Sequence, residues 1–300
     1  MITRKTVFIL GAGASAPYGF PLGRALLLDV AYSLQEPEGY LSSTLSECGF
    51  DRGSQEEFRN ALKLSMLPSI DLFLEYRREF LSIGKFAIAI SLIRLEDSLV
   101  LQRRGNLKWY EYMYNQVVSG ATDISQSKLK FITFNYDRSL EHFFHLALKH
   151  TLNVDGTDWK RQMENVPIVH VYGQLGEYPQ LFPSGREYAN TTDATLIKKC
   201  TEAIKIASEG ETETDEFALA KSFIEEAEVI CFLGFSYHPV NLRRLGMPSI
   251  LGPRQNVLGC AYGLTPAEQS QVKAGFLRNI EMGKESQDSL EFLRTYDVLR

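Results

Sequence analysis

Thr6-Val7-Phe8-Ile9-Leu10 runs straight into Gly11-Ala12-Gly13-Ala14-Ser15-Ala16. The first five residues are rich in β-branched and aromatic side chains and do not alternate cleanly. That is the pattern of a strand buried on both faces of a parallel sheet. The glycines that follow allow a tight strand-to-helix turn and let an anionic group approach backbone N–H groups. They fit the dinucleotide fingerprint G-x-G-x-x-G/A, with alanine in the last place. The same glycines also suit a turn that needs only positive φ. A dehydrogenase would carry an acidic residue about 20 positions further on, at the end of a second strand. Asp29 lies near that distance but inside Leu22–Leu34, which has helical period, so the oxidoreductase reading fails on context.

Working outward, four more segments read as buried strands: Leu129–Phe134, Val166–Val171, Glu228–Leu233 and Gln255–Ala261. Helical period occupies Leu22–Leu34, Ser69–Leu101, Lys108–Val118, Arg138–Lys149, Thr195–Ala207 and Asp215–Ala227. Strands alternating with helices predict an α/β fold, a Rossmann-like parallel sheet with a large helical insertion between the first two strands. The expected organisation is one domain, with residues 1–34 and 128–300 as the nucleotide-binding core. Residues 35–127 form the helical insert and 178–216 a smaller one. The polar run Ser208-Glu209-Gly210-Glu211-Thr212-Glu213-Thr214 reads as a solvated, mobile loop.

Composition removes other classes. A net charge of −5 offers no broad surface for nucleic acid. Apolar runs such as Phe86–Ile93 are far shorter than the roughly 18 to 20 residues that cross a bilayer. The start of the chain lacks the apolar length of a signal peptide, so a cytoplasmic protein is expected. Cys48, Cys200, Cys231 and Cys260 are far apart and form no CxxC pair, so neither a four-cysteine zinc site nor a disulfide framework is expected.

Small and polar residues gather where each strand ends: Gly11–Ser15, Asn135-Tyr136-Asp137, Tyr172-Gly173-Gln174, Gly234-Phe235-Ser236 and Ala261-Tyr262-Gly263. In open parallel sheets ligands bind outside the carboxyl ends of the strands, so these turns describe one site.

These residues carry a resemblance. Gly11-Ala12-Gly13-Ala14-Ser15, followed by Gly19-Phe20-Pro21 and Arg24, is similar to the sirtuin nucleotide loop. Thr133-Phe134-Asn135-Tyr136-Asp137 looks like the segment holding the sirtuin catalytic asparagine, and Gly234-Phe235-Ser236 resembles the later glycine-x-serine turn. With Ser69-Ile70-Asp71-Leu72-Phe73-Leu74, Val171-Tyr172-Gly173 and Phe232–His238 with Asn241, the chain resembles the bacterial sirtuin-like family, whose members typically hydrolyse NAD as antiphage effectors.

The resemblance implies an NAD glycohydrolase, releasing nicotinamide and ADP-ribose, without zinc or any cofactor beyond NAD as substrate. It implies regulation by assembly, as a homo-oligomer or with a partner such as a HerA-type ATPase. The alternative is a catalytically weak module that senses or scaffolds through bound NAD or ADP-ribose. The implied catalytic residues are Asn135, His170, Tyr172 and Asp137. The implied nucleotide contacts are Gly11, Ala12, Gly13, Ser15, Arg24, Gly234, Ser236 and Asn241.

One departure stands out. Where sirtuins place a histidine directly before a glycine, this chain has Tyr172-Gly173, with His170 two residues earlier. Residues two apart on a strand share a face, so both or neither look toward the site. Simpler roles compete: Asn135, Asp137 or Ser15 as helix caps, His170 as a buried strand residue and Arg24 as helix surface. Asp71 either touches the site from the helical insert or is an exposed helix-start acid. His142, His145 and His150 read as packing or surface residues.

Overall fold

The strand Thr6–Leu10 (β1) lies at the centre of a parallel sheet and is buried along its whole length. It pairs with Leu129–Thr133 (β2) on one side and with Val229–Leu233 (β4) on the other. Ile168–His170 (β3) extends the β2 side; Asn256–Gly259 (β5) and the short Glu281–Met282 (β6) extend the β4 side. The structure is a computed structural model that describes residues 2–102, 105, 107–119, 123–206 and 214–299. Among them the sheet has six strands in the order β3-β2-β1-β4-β5-β6. That is the Rossmann order, in which the chain reverses direction of travel between β1 and β4 and opens a crevice there.

Alternation along β1 splits the core in two. Phe8 and Leu10 face one layer, Val7 and Ile9 the other. Each such buried side chain contributes about 1.5–3 kcal/mol relative to exposure. The first layer also contains Leu27, Phe58, Phe73, Ile88 and Trp109, so the inserted helices share one core with the sheet. They include Ile70–Tyr76, Leu81–Ile93 and Trp109–Val118, and the core helix Gly23–Ser33 packs with them.

The strand boundaries follow the apolar segments within one or two residues, and β6 is additional. The predicted long helix Ser69–Leu101 is instead broken. The chain leaves helical geometry at Arg77 (φ −119°, ψ 70°), makes a short 3-10 turn at Arg78–Phe80 and re-enters a helix at Leu81. The polar run at 208–213 lies outside the described residues; Thr214 caps the helix Asp215–Glu226 by accepting from the Phe217 amide. Among the described residues no helix is long and apolar enough to cross a membrane, and all four cysteines are unpaired.

Candidate active site

The carboxyl ends of β1, β2 and β4 open into a cavity of about 780 Å³, within the range of small-molecule and cofactor sites. Its wall includes Gly11, Ala12, Gly13, Arg24, Asn135, Tyr172, Gly234, Ser236 and Asn241, nine of the twelve residues singled out from sequence. The inserted helix Ile70–Tyr76 closes the other side with Asp71, Leu72 and Glu75.

Two turns interlock at the floor. The Gly13 amide donates to Gly234 O at 3.0 Å, and the Gly11 amide donates to Leu233 O at 3.0 Å. A Cβ on Gly11 would stand 2.5 Å from Gly234 O, and one on Gly234 (φ +56°) 2.0 Å from Ala14 N. The glycine pattern is therefore a backbone-on-backbone contact between two loops. Because the amides of Gly11 and Gly13 are already donated, the loop has fewer N–H groups for a phosphate than the fingerprint implies.

Asn135 sits directly above this contact. Its Nδ2 donates to Gly11 O at 3.0 Å and to Ser15 Oγ at 2.9 Å. Gly11 O can only accept, which fixes the amide orientation and leaves Oδ1 as the acceptor of this cavity-lining side chain. No donor to Oδ1 is found among the described residues. The helix after this loop begins at Ser139 with Arg138 at its cap position, so Asn135 is no cap. Ser15 lies beneath, 3% exposed, and caps nothing. It binds Asp137, whose Oδ1 also accepts from the Ser139 amide and hydroxyl. Asp137 thus serves the start of the following helix and anchors Ser15. Burial raises its carboxyl above the usual range, against the hydrogen bonds from Ser139 and Ser15.

His170 and Tyr172 part company because β3 ends at His170 and Tyr172 lies in the turn beyond it. Val171 begins the turn out of the strand, and His170 is buried away from the cavity wall, with Nδ1 2.8 Å from Asn135 O and Nε2 2.6 Å from Glu141 Oε1. Tyr172 does line the cavity. Its hydroxyl donates to Asn241 Oδ1 at 2.8 Å, and the Arg244 guanidinium lies 5.2 Å from its ring centre. Burial raises the Tyr172 phenol, with Arg244 opposing.

On the wall Asp71, half-buried, takes the first of its two expected places, at the site rather than on an exposed helix start, while Tyr136, Glu75 and His238 were given no role from sequence. Tyr136 donates from its hydroxyl to Asp71 Oδ1 at 2.7 Å, tying the asparagine loop to the insert. Asp71 and Glu75 stand one turn apart; burial raises both carboxyls, and for Glu75 the nearby Asp71 charge adds to it. The imidazole on the wall belongs to His238, which sits at the cap position of Pro239–Arg244. A sequence signal existed for Glu75, four residues after Asp71 on one helical face. Arg24 is exposed in the first turn of Gly23–Ser33, where the helix dipole disfavours a cation, and it lines the cavity. His142 and His145 are buried packing residues, as expected from sequence.

The chain matches no protein-family model and no curated protein. Among the described residues no group of three or more His, Cys, Asp or Glu side chains is placed to hold a metal ion.

Proposed function

We propose that this protein is an NAD glycohydrolase of the sirtuin-like type, cleaving the bond between nicotinamide and ribose. The observation that carries the proposal is Asn135: its amide is clamped by Gly11 O and Ser15 Oγ, with Oδ1 left to a ligand at the switch-point crevice. Such an acceptor can hold a water or a ribose hydroxyl in fixed orientation, which is what departure of a good leaving group requires. In the reaction the C1′–N bond breaks with its electron pair going to the pyridinium nitrogen. Water oxygen then bonds C1′ and releases a proton to bulk solvent, so nicotinamide, ADP-ribose and one proton leave the site. Asp71 and Glu75 supply negative charge to an oxocarbenium-like transition state from the facing wall, and Arg24 offers a cation at the mouth for a phosphate. Ser236 and Asn241 complete the nucleotide contacts of this reading. Control by self-assembly or by a partner such as a HerA-type ATPase, in an antiphage role, belongs to the same proposal.

A second reading has a specific observation in its favour. His170 is turned away from the cavity and the Tyr172 hydroxyl is committed to Asn241. A module that binds NAD or ADP-ribose without turnover would tolerate both. One experiment separates the two: purified protein, alone and with its genomic neighbour, is given NAD while nicotinamide release and nucleotide binding are followed. Release that Asn135→Ala abolishes supports the hydrolase. Binding without release under every condition supports the module, and no binding of either nucleotide refutes both.

A further inference from the structure

Asn135 is gripped on its main chain as well as its side chain, and the second grip was not evident in the sequence. His170 Nδ1 lies 2.8 Å from Asn135 O. A carbonyl oxygen only accepts, so Nδ1 carries a proton. The other ring nitrogen faces Glu141 Oε1 at 2.6 Å. Both residues are buried, Glu141 at 3% and His170 at 8% exposure. Glu141 stands in the first turn of Ser139–Leu152, and its second oxygen, Oε2, is buried without a hydrogen-bond partner. With both ring nitrogens engaged, His170 has none left to touch a ligand.

A proton must lie between Nε2 and Oε1, since a lone pair against a carboxylate at that distance is repulsive. Burial alone would depress the imidazole's pKa. The Glu141 charge, its hydrogen bond, the Asn135 carbonyl and the Asp137 charge outweigh burial and hold it above the usual value. Glu141 meets the ring directly from the helix, and Asp137, in the loop before it, adds its charge without touching the ring.

We infer that Glu141 and His170 are a buried positioning pair that acts on the reaction through Asn135, the imidazolium fixing its carbonyl while Gly11 and Ser15 fix its side chain. This rests on the hydrolase reading, in which Asn135 orients the nucleophile. The pair replaces direct contact between histidine and ribose with an indirect one, and it assigns a role to Glu141.

Glu141→Gln tests it, keeping size and polarity while removing charge. Nucleotide Kd stays within about twofold, whereas kcat falls on the order of 10- to 100-fold, because a misplaced group costs rate rather than affinity. The alkaline limb of kcat, set by loss of the His170 proton, moves about one to three pH units lower. An unmoved limb with unchanged kcat overturns the inference, as does a fall in thermal stability with both kinetic readouts unchanged. A second measurement needs neither the variant nor turnover. Nitrogen NMR of the unsubstituted protein should find both His170 ring nitrogens protonated at neutral pH, and Asn135 resonances shifting with the same midpoint as the ring. A neutral ring, or Asn135 signals indifferent to its titration, overturns the pair. If the protein hydrolyses no NAD while the NMR result holds, the hydrolase reading fails and the pair stands as the anchor of Asn135.

Discussion

Replacing Gly234 with alanine tests how the two floor loops hold each other. The new Cβ meets Ala14 N at 2.0 Å and Gly13 C at 2.2 Å, both backbone atoms that cannot swing aside. Ordinary contact begins near 3.4 Å, so the loops must part by more than about 1 Å. That breaks Gly13 N–H to Gly234 O and weakens Gly11 N–H to Leu233 O. At about 1 kcal/mol each, the two bonds cost about 2 kcal/mol. The left-handed backbone adds about 1–2 kcal/mol for any side chain. Gly156 isolates that second contribution, since its φ is +54° and a Cβ there meets nothing within 4 Å.

For a chain of this length the unfolding entropy is near 0.6 kcal/mol/K. Calorimetry should then find Gly156→Ala lowering Tm by about 2–3 °C and Gly234→Ala by about 5–6 °C. Parting the loops also displaces Gly11 O, the anchor of Asn135, and a displacement of about 1 Å costs on the order of 100-fold in turnover. Equal Tm losses in the two variants would refute the loop-on-loop contact.

Two further outcomes follow from buried charge. Arg138 and Arg186 both bind the Glu96 carboxylate, at 2.9 and 2.6 Å, with all three side chains buried. Glu96→Ala leaves two guanidiniums without a counterion and should cost about 3–5 kcal/mol, read from the denaturant midpoint; a loss under about 1 kcal/mol would contradict the ion network. His142, held between Ser98 Oγ and Tyr178 OH, has its pKa lowered to about 4 by burial, with His145 and Arg138 adding to it. The unfolded ring protonates below pH 6.5 and the folded ring only near pH 4, so its contribution is present above 6.5 and lost as pH falls between those values. About 2 kcal/mol should be gone at pH 5, and His142→Gln should flatten the decline between pH 7 and 5. An unchanged slope would show that the ring titrates normally.

The sheet was legible because its main strands are short segments dominated by buried apolar residues, and the first, Thr6–Leu10, matches its predicted bounds. β6 was not, since two residues with one exposed carry no period. The crevice was legible as a row of strand ends. What lay hidden was each partnership across sequence. Glu96 is 42 positions from Arg138 and 90 from Arg186, and Glu141 is 29 from His170; nothing local marks such residues as partners. The rule that residues two apart on a strand share a face placed His170 with Tyr172, but it holds only inside the strand, and β3 ends at His170. Glycine was ambiguous for a similar reason. Gly11 and Gly13 read as a ligand loop, and their closest neighbour proved to be another glycine more than 200 residues away.

The register of the central strands has a consequence for what the crevice can hold. Leu10 is level with Thr133 on one side and with Leu233 on the other. The three chains therefore surface at one height, like boards cut to a common length, across a span of about 10 Å at 4.8 Å per strand. A floor so levelled brings the loops after three strands to one height. A molecule laid crosswise over the strand ends would touch each loop in turn.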